Sequence, residues 1–136
     1  MAIDEAIQLA VRARAKGRCE YCHFPEEFSE LPFHVDHIIA KQHGGRTVLG
    51  NLALACCFCN GFKGPNLAGV DPVSGKVVRL FDPRRHTWQA HFTWNGPELI
   101  GKTATARATI QALRLNSGDA VAVRQLLMTE GVYPLA

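Results

Sequence analysis

Residues 51–64 read NLALACCFCNGFKG, and this stretch, taken with CEYC at residues 19–22, decides how the chain folds. Cys56 and Cys59 form one Cys-x-x-Cys turn, Cys19 and Cys22 form another, and 33 residues lie between them. Two short chelating turns of this kind bring four thiolates to one tetrahedral ion, the usual build of a structural zinc site. A single turn is equally compatible with buried or redox cysteines; two in a small chain favour zinc. Four thiolates leave no open position for a substrate, so this metal folds the protein and does no chemistry. Its binding supplies on the order of 10 kcal/mol toward folding a small domain. Cys57, the odd cysteine, is expected to point away from the metal as a small core residue.

The rest of the chain is built to surround that scaffold. At 136 residues and 47% hydrophobic, it has the composition of one globular domain spanning residues 1–136. A charged fraction of 20% argues against disorder. No run of eighteen apolar residues is present, so no membrane helix is expected. The start, MAIDEAIQLA, carries acidic residues and lacks the basic opening and cleavage site of a signal peptide. The chain therefore reads as cytoplasmic, where cysteines stay reduced. A net charge of +3 permits a polyanionic partner without demanding one. Lys41, Arg46 and Lys63 fall near the Cys and His positions, and Arg84 and Arg85 are adjacent; on charge alone these are solvated surface.

Residues 4–16 predict a helix, with Asp4 as N-cap, Gly17 as stop and a buried stripe of Ile7, Leu9, Ala10 and Val11. Residues 33–39 predict a strand, which Gly44 and Gly45 separate from the next element. Residues 51–59 are apolar, and Asn60 to Lys63 opens a short helix. Residues 76–81 predict a strand after a DPVSG turn. HFTW and ELIG, on either side of Asn95, Gly96 and Pro97, predict a hairpin. Residues 103–115 and 118–129 predict two amphipathic helices, the second capped by Ser117.

Between the cysteine turns lies FHVDHIIAKQHGG, residues 33–45. Asp36 and His37 are adjacent, Asn51 follows 14 residues after His37, and Asn60 follows 9 after Asn51, directly behind Cys59. The order Cys-x-x-Cys, Asp-His, Gly-Gly, Asn-Leu, Cys-x-x-Cys-Asn resembles the ββα-metal core of the HNH endonuclease family, over about residues 18–64. The resemblance implies an α+β fold: an HNH core around a zinc held by four cysteines, with an N-terminal helix and a C-terminal hairpin plus helices. It implies a metal-dependent endonuclease acting on DNA, RNA not being excluded, as monomer or homodimer. The alternative is a zinc module without catalysis that binds nucleic acid or a partner protein.

Phosphodiester hydrolysis needs a deprotonated water, neutralisation of charge on the phosphorane-like transition state, and help for the leaving oxygen. A histidine of near-neutral pKa can take the proton. Asp36 and Asn60 are oxygen donors suited to a hard cation, Mg²⁺ or Mn²⁺. Neighbours in a regular strand point to opposite faces, but in the family the Asp-His pair sits where the first strand bends into a loop. By resemblance, His37 is the general base, Asp36 a metal ligand, and Asn51 the residue that holds the loop and orients the base. Asn60 stands where many members carry the last histidine and keeps a metal ligand there. Lys63 resembles the family's phosphate-contacting lysine, against the reading of a bystander charge. His34, two before Asp36, is read either as a metal or phosphate contact or as a packing histidine. His43 is either a substrate contact or a solvated loop residue.

The stretch LFDPRRHTWQAHF, residues 80–92, resembles a segment that accompanies this core in many small bacterial members and has no assigned chemistry. Phe81, Trp88 and Phe92 are expected to pack the C-terminal part, residues 65–136, against the core. Arg84 and Arg85 are either phosphate grips or surface charge. Ile110, Leu113, Leu126 and Leu127 form a core or dimer face.

Overall fold

Asp4 caps the first helix, α1 (Glu5–Ala15), by accepting a 2.7 Å hydrogen bond from the Ala6 amide. The helix ends in left-handed backbone at Lys16 and Gly17, both with positive φ. Its buried positions are Val11 and Ala15, with Ile7 half-buried, whereas Leu9 is 61% exposed and Ala10 faces outward. The stripe therefore follows the i, i+4, i+8 row, and Leu9 lies off that face because the helical repeat is 3.6 residues. This is a computed structural model that describes residues 3–134. The chain divides into two compact units, residues 1–67 and 68–136.

In the first unit α1 leads into the CEYC turn and then to β1 (His34–His37), which pairs antiparallel with β2 (Leu52–Ala55). All four β2 residues are fully buried, as a continuous apolar run covered on both faces should be. The β1 strand is shorter than the 33–39 expected. The strand ends at His37, and the Ile38 amide, donating to the Asn51 carbonyl at 2.9 Å, carries the same register one bond further before the chain bends. Gly45 is required for a steric reason: a Cβ there would run into the Ile39 carbonyl.

The helix α2 (Cys57–Lys63) begins three residues before the expected Asn60. Its N-cap is Cys56, whose sulfur accepts from the Cys59 amide at 3.4 Å. The cysteine turn is thus also the helix start. Cys57 is half-buried, less enclosed than a core residue.

The second unit opens with a hairpin of β3 (Ala68–Val70) and β4 (Val77–Arg79); the predicted 76–81 strand is its second arm. Asp71, fully buried in the turn, accepts both Arg107 Nε and Nη2 at 2.9 Å. A one-turn helix α3 (Trp88–His91) precedes the predicted hairpin, β5 (Phe92–Asn95) with β6 (Glu98–Gly101). Gly96 supplies the positive φ of the turn. Pro97 gives its carbonyl to the buried Arg124 at 2.7 Å. Then come α4 (Ala104–Ala112) and α5 (Gly118–Thr129), capped by Thr103 and Ser117 side chains. Phe81, Phe92 and Trp88 stack within this unit, with ring centroids 5.1–5.3 Å apart for the pairs that include Phe92. Leu113 is buried, while Leu126 is 67% exposed.

Candidate active site

The four sulfurs of Cys19, Cys22, Cys56 and Cys59 all lie within 4.8 Å of one another, and all four residues are buried. Sγ of Cys22 and Sγ of Cys56 are 3.8 Å apart. A tetrahedron with zinc–sulfur bonds of about 2.3 Å has edges of about 3.8 Å, so the cluster fits that ion. Hydrogen bonding among the thiols, with burial, drives Cys22 and Cys59 well above the ordinary thiol range. Cys56, which its three neighbours stabilise as thiolate, is held far below it. Such a crowded set of sulfurs is suited to a cation.

The first cysteine turn is tied to the sheet by its own residues. Glu20 donates its amide to the Leu54 carbonyl at 2.8 Å, and its carboxylate accepts from the Leu54 amide at 2.8 Å. Arg14, on α1, donates to the carbonyls of Leu49 and Leu52 at 2.9 and 2.7 Å. The cluster, β2 and the loop before it are therefore one hydrogen-bonded assembly.

Asn60 follows Cys59 within α2, so the same turn that seats two sulfurs orients it. An open pocket is lined by His34, Asp36, His37, Lys41, Asn60 and Gly64, among others. Asp36 and His37 are neighbours on the paired strand and both line this pocket, as do His34 and Val35. His34, read two ways from sequence, is exposed and lines the pocket. His43 is exposed in a short 3₁₀ turn and does not line it.

His37 Nε2 lies 2.8 Å from Oγ1 of Thr47. Burial, and then the positive charge of Lys41, lower its pKa below the ordinary imidazole value. Asn51 clamps the loop: its amide donates to the carbonyls of Ile39 and Arg46 at 3.0 and 2.9 Å, and its oxygen accepts from the Ile39 amide at 2.9 Å. These bonds hold the backbone just beyond His37, whereas the side-chain partner of the histidine is Thr47. No short motif marks Thr47 in the sequence, and Lys41 is marked there only as a nearby charge.

Lys63 lies elsewhere than on a phosphate-facing surface. It is 2% exposed, with its ammonium 3.1 Å from Asp36 Oδ2, 3.3 Å from the His37 carbonyl and 3.5 Å from the Gly64 carbonyl. Burial raises the pKa of Asp36, and Lys63 is the main influence opposing that rise, with His37 and the Tyr21 hydroxyl adding to it. Asp36 and Asn60 both line this pocket, and a carboxylate and an amide are residue types that suit a hard divalent cation.

In the second unit, the amides of Arg84 and Arg85 donate to the buried Asp82 carboxylate at 2.9 and 3.3 Å. The Arg85 side chain is 66% exposed, 3.7 Å from Asp82.

The family model described as HNH endonuclease matches residues 19–66. No curated protein and no solved structure matches the chain. The mixed helix and antiparallel strand pairs, with the four-cysteine cluster, agree with the ββα-metal core. Among the described residues no helix is long and apolar enough to cross a membrane.

Proposed function

Because residues 19–66 carry an HNH core, we propose that the protein is a metal-dependent endonuclease that hydrolyses phosphodiester bonds in DNA. The observation that carries this reading is the convergence of Asp36, His37 and Asn60 on one pocket, beside a cysteine cluster that anchors the helix bearing Asn60. Zinc in the cluster is structural, because four thiolates leave it no open position.

His37 is the general base. Its Nε2 is 2.8 Å from Thr47 Oγ1, which holds the ring; in the tautomer in which Nε2 donates to the hydroxyl, Nδ1 accepts the proton from water. A lowered pKa keeps the ring neutral, as a base must be before the reaction. Asn51 holds the loop that carries Thr47 and so keeps the pair in register. Asp36 and Asn60 hold the divalent cation, Mg²⁺ or Mn²⁺, which when bound supplies Lewis-acid stabilisation of the scissile phosphate and the leaving oxygen. His34 and, further along the loop, His43 contact substrate. Exposed Arg85, with Arg84, grips backbone phosphates through planar, permanently charged groups.

The test is cleavage of supercoiled plasmid by the zinc-loaded protein with Mg²⁺ or Mn²⁺, beside His37→Ala. Nicked or linear product from the parent and none from the variant is the expected result. Equal cleavage by both removes His37 from the mechanism, and no cleavage of DNA or RNA with any metal leaves a binding module.

A further inference from the structure

Lys63 is a cation enclosed by oxygens. Its three neighbours are the Asp36 carboxylate, the His37 carbonyl and the Gly64 carbonyl. These belong to the same strand end and the same helix end that flank the pocket of Asp36 and Asn60. A long polar side chain is 2% exposed only when its charge is met, and here it is met by an ion pair plus two backbone acceptors.

We propose that Lys63 is an ion-selectivity determinant: by occupying Asp36 Oδ2 and the two carbonyls, it restricts the catalytic cation to a small shell and favours Mg²⁺ or Mn²⁺ over Ca²⁺. The inference rests on the reading of Asp36 as a metal ligand. Ca²⁺ takes six to eight oxygens and readily uses both oxygens of a carboxylate together with backbone carbonyls. Mg²⁺ keeps several waters and asks the protein for one or two ligands in near-octahedral geometry. With Oδ2 held by the ammonium, Asp36 has one oxygen, Oδ1, to give. The His37 and Gly64 carbonyls, which a larger cation would recruit, are also engaged. Lys63 is thus a positioning residue that acts through Asp36, in place of the phosphate contact suggested by its sequence position.

The experiment measures direct ion binding to the zinc-loaded full chain. Mn²⁺ affinity is read by electron paramagnetic resonance, and Ca²⁺ and Mg²⁺ affinities by competition, for the parent, Lys63→Met and Asp36→Asn. The parent should bind Ca²⁺ more weakly than Mn²⁺. In Lys63→Met the ratio of Ca²⁺ to Mg²⁺ affinity should rise by about tenfold, as the freed oxygens accept the larger ion. Asp36→Asn should lose Mn²⁺. If Asp36→Asn binds Mn²⁺ as the parent does, the metal-ligand reading itself fails. If Asp36→Asn loses Mn²⁺ but Lys63→Met keeps the parental ratio, the selectivity role alone is overturned. Should Lys63→Met not fold, Lys63→Gln takes its place: a Ca²⁺-to-Mg²⁺ affinity ratio above the parent's upholds the role, and the parental ratio overturns it.

Discussion

Thr47 Oγ1 stands 2.8 Å from His37 Nε2, ten residues further along a loop that shows no regular strand pairing. In the proposed mechanism the hydroxyl holds one ring nitrogen and the other takes the proton from water. Thr47→Val keeps the shape of the side chain and removes the hydrogen bond. It should lower kcat by roughly tenfold with KM little changed, whereas His37→Ala should lose on the order of 10²- to 10⁴-fold. Cleavage kinetics check both, and a Thr47→Val variant with parental kcat would count against the orienting role.

The pH profile follows from the shifted imidazole. The base works only when neutral, and burial followed by Lys41 pushes its pKa down. Activity should therefore fall on the acid side as the ring protonates, at a pH below the ordinary imidazole value. Lys41→Gln removes one depressing charge, so its acid limb should move toward higher pH. A limb that stays put or moves lower contradicts this assignment of the charge.

Zinc removal should unfold the first unit. Each chain should carry one zinc by elemental analysis, and a strong chelator or Cys56→Ser should abolish the cooperative transition in circular dichroism. The loss is on the order of 10 kcal/mol of binding energy coupled to folding. A fully cooperative first unit without metal would show that the sulfurs pack as ordinary core.

Asn51→Ala deletes three side-chain hydrogen bonds to the backbone of Ile39 and Arg46. At about 1 kcal/mol each, the loss is roughly 2–3 kcal/mol in urea titration. Activity should drop as well, because the loop carries Thr47. Unchanged stability would mean that water replaces the clamp at no cost.

In the second unit, the Arg107 guanidinium holds Asp71 well below the usual carboxylate range. A carboxylate with a depressed pKa contributes stability above its unfolded value and loses it as pH falls toward its folded one. Arg107→Gln should therefore shift the acid unfolding midpoint of this unit to higher pH. Coincident acid curves for parent and variant would sink the assignment.

Much of the first unit is legible in the sequence because its signals are local. Cys-x-x-Cys spacing, the Asp4 cap and the buried LALA run each report on neighbours a few residues away. The start of α2 at Cys57 is obscured because helix signals look for an oxygen cap, and here a sulfur caps. Lys63 illustrates a different loss: burial depends on what packs over a residue, and a lysine beside glycines reads as surface until Asp36 is folded onto it. Thr47 is invisible for a similar reason, since its partner is ten residues away in an irregular loop. In the second unit, β3 leaves no trace because three residues with a glycine at the centre carry no alternation.

The seven residues of α2 join the cysteine cluster to the proposed cation site while turning another side chain outward: Phe58 is 69% exposed. Cys59 and Lys63 are buried, but position 58 is not, so the surface there can be rewritten without touching the cysteine cluster or the Asp36–Lys63 ion pair. A library randomised at 58 would retarget such a scaffold with the least risk to folding.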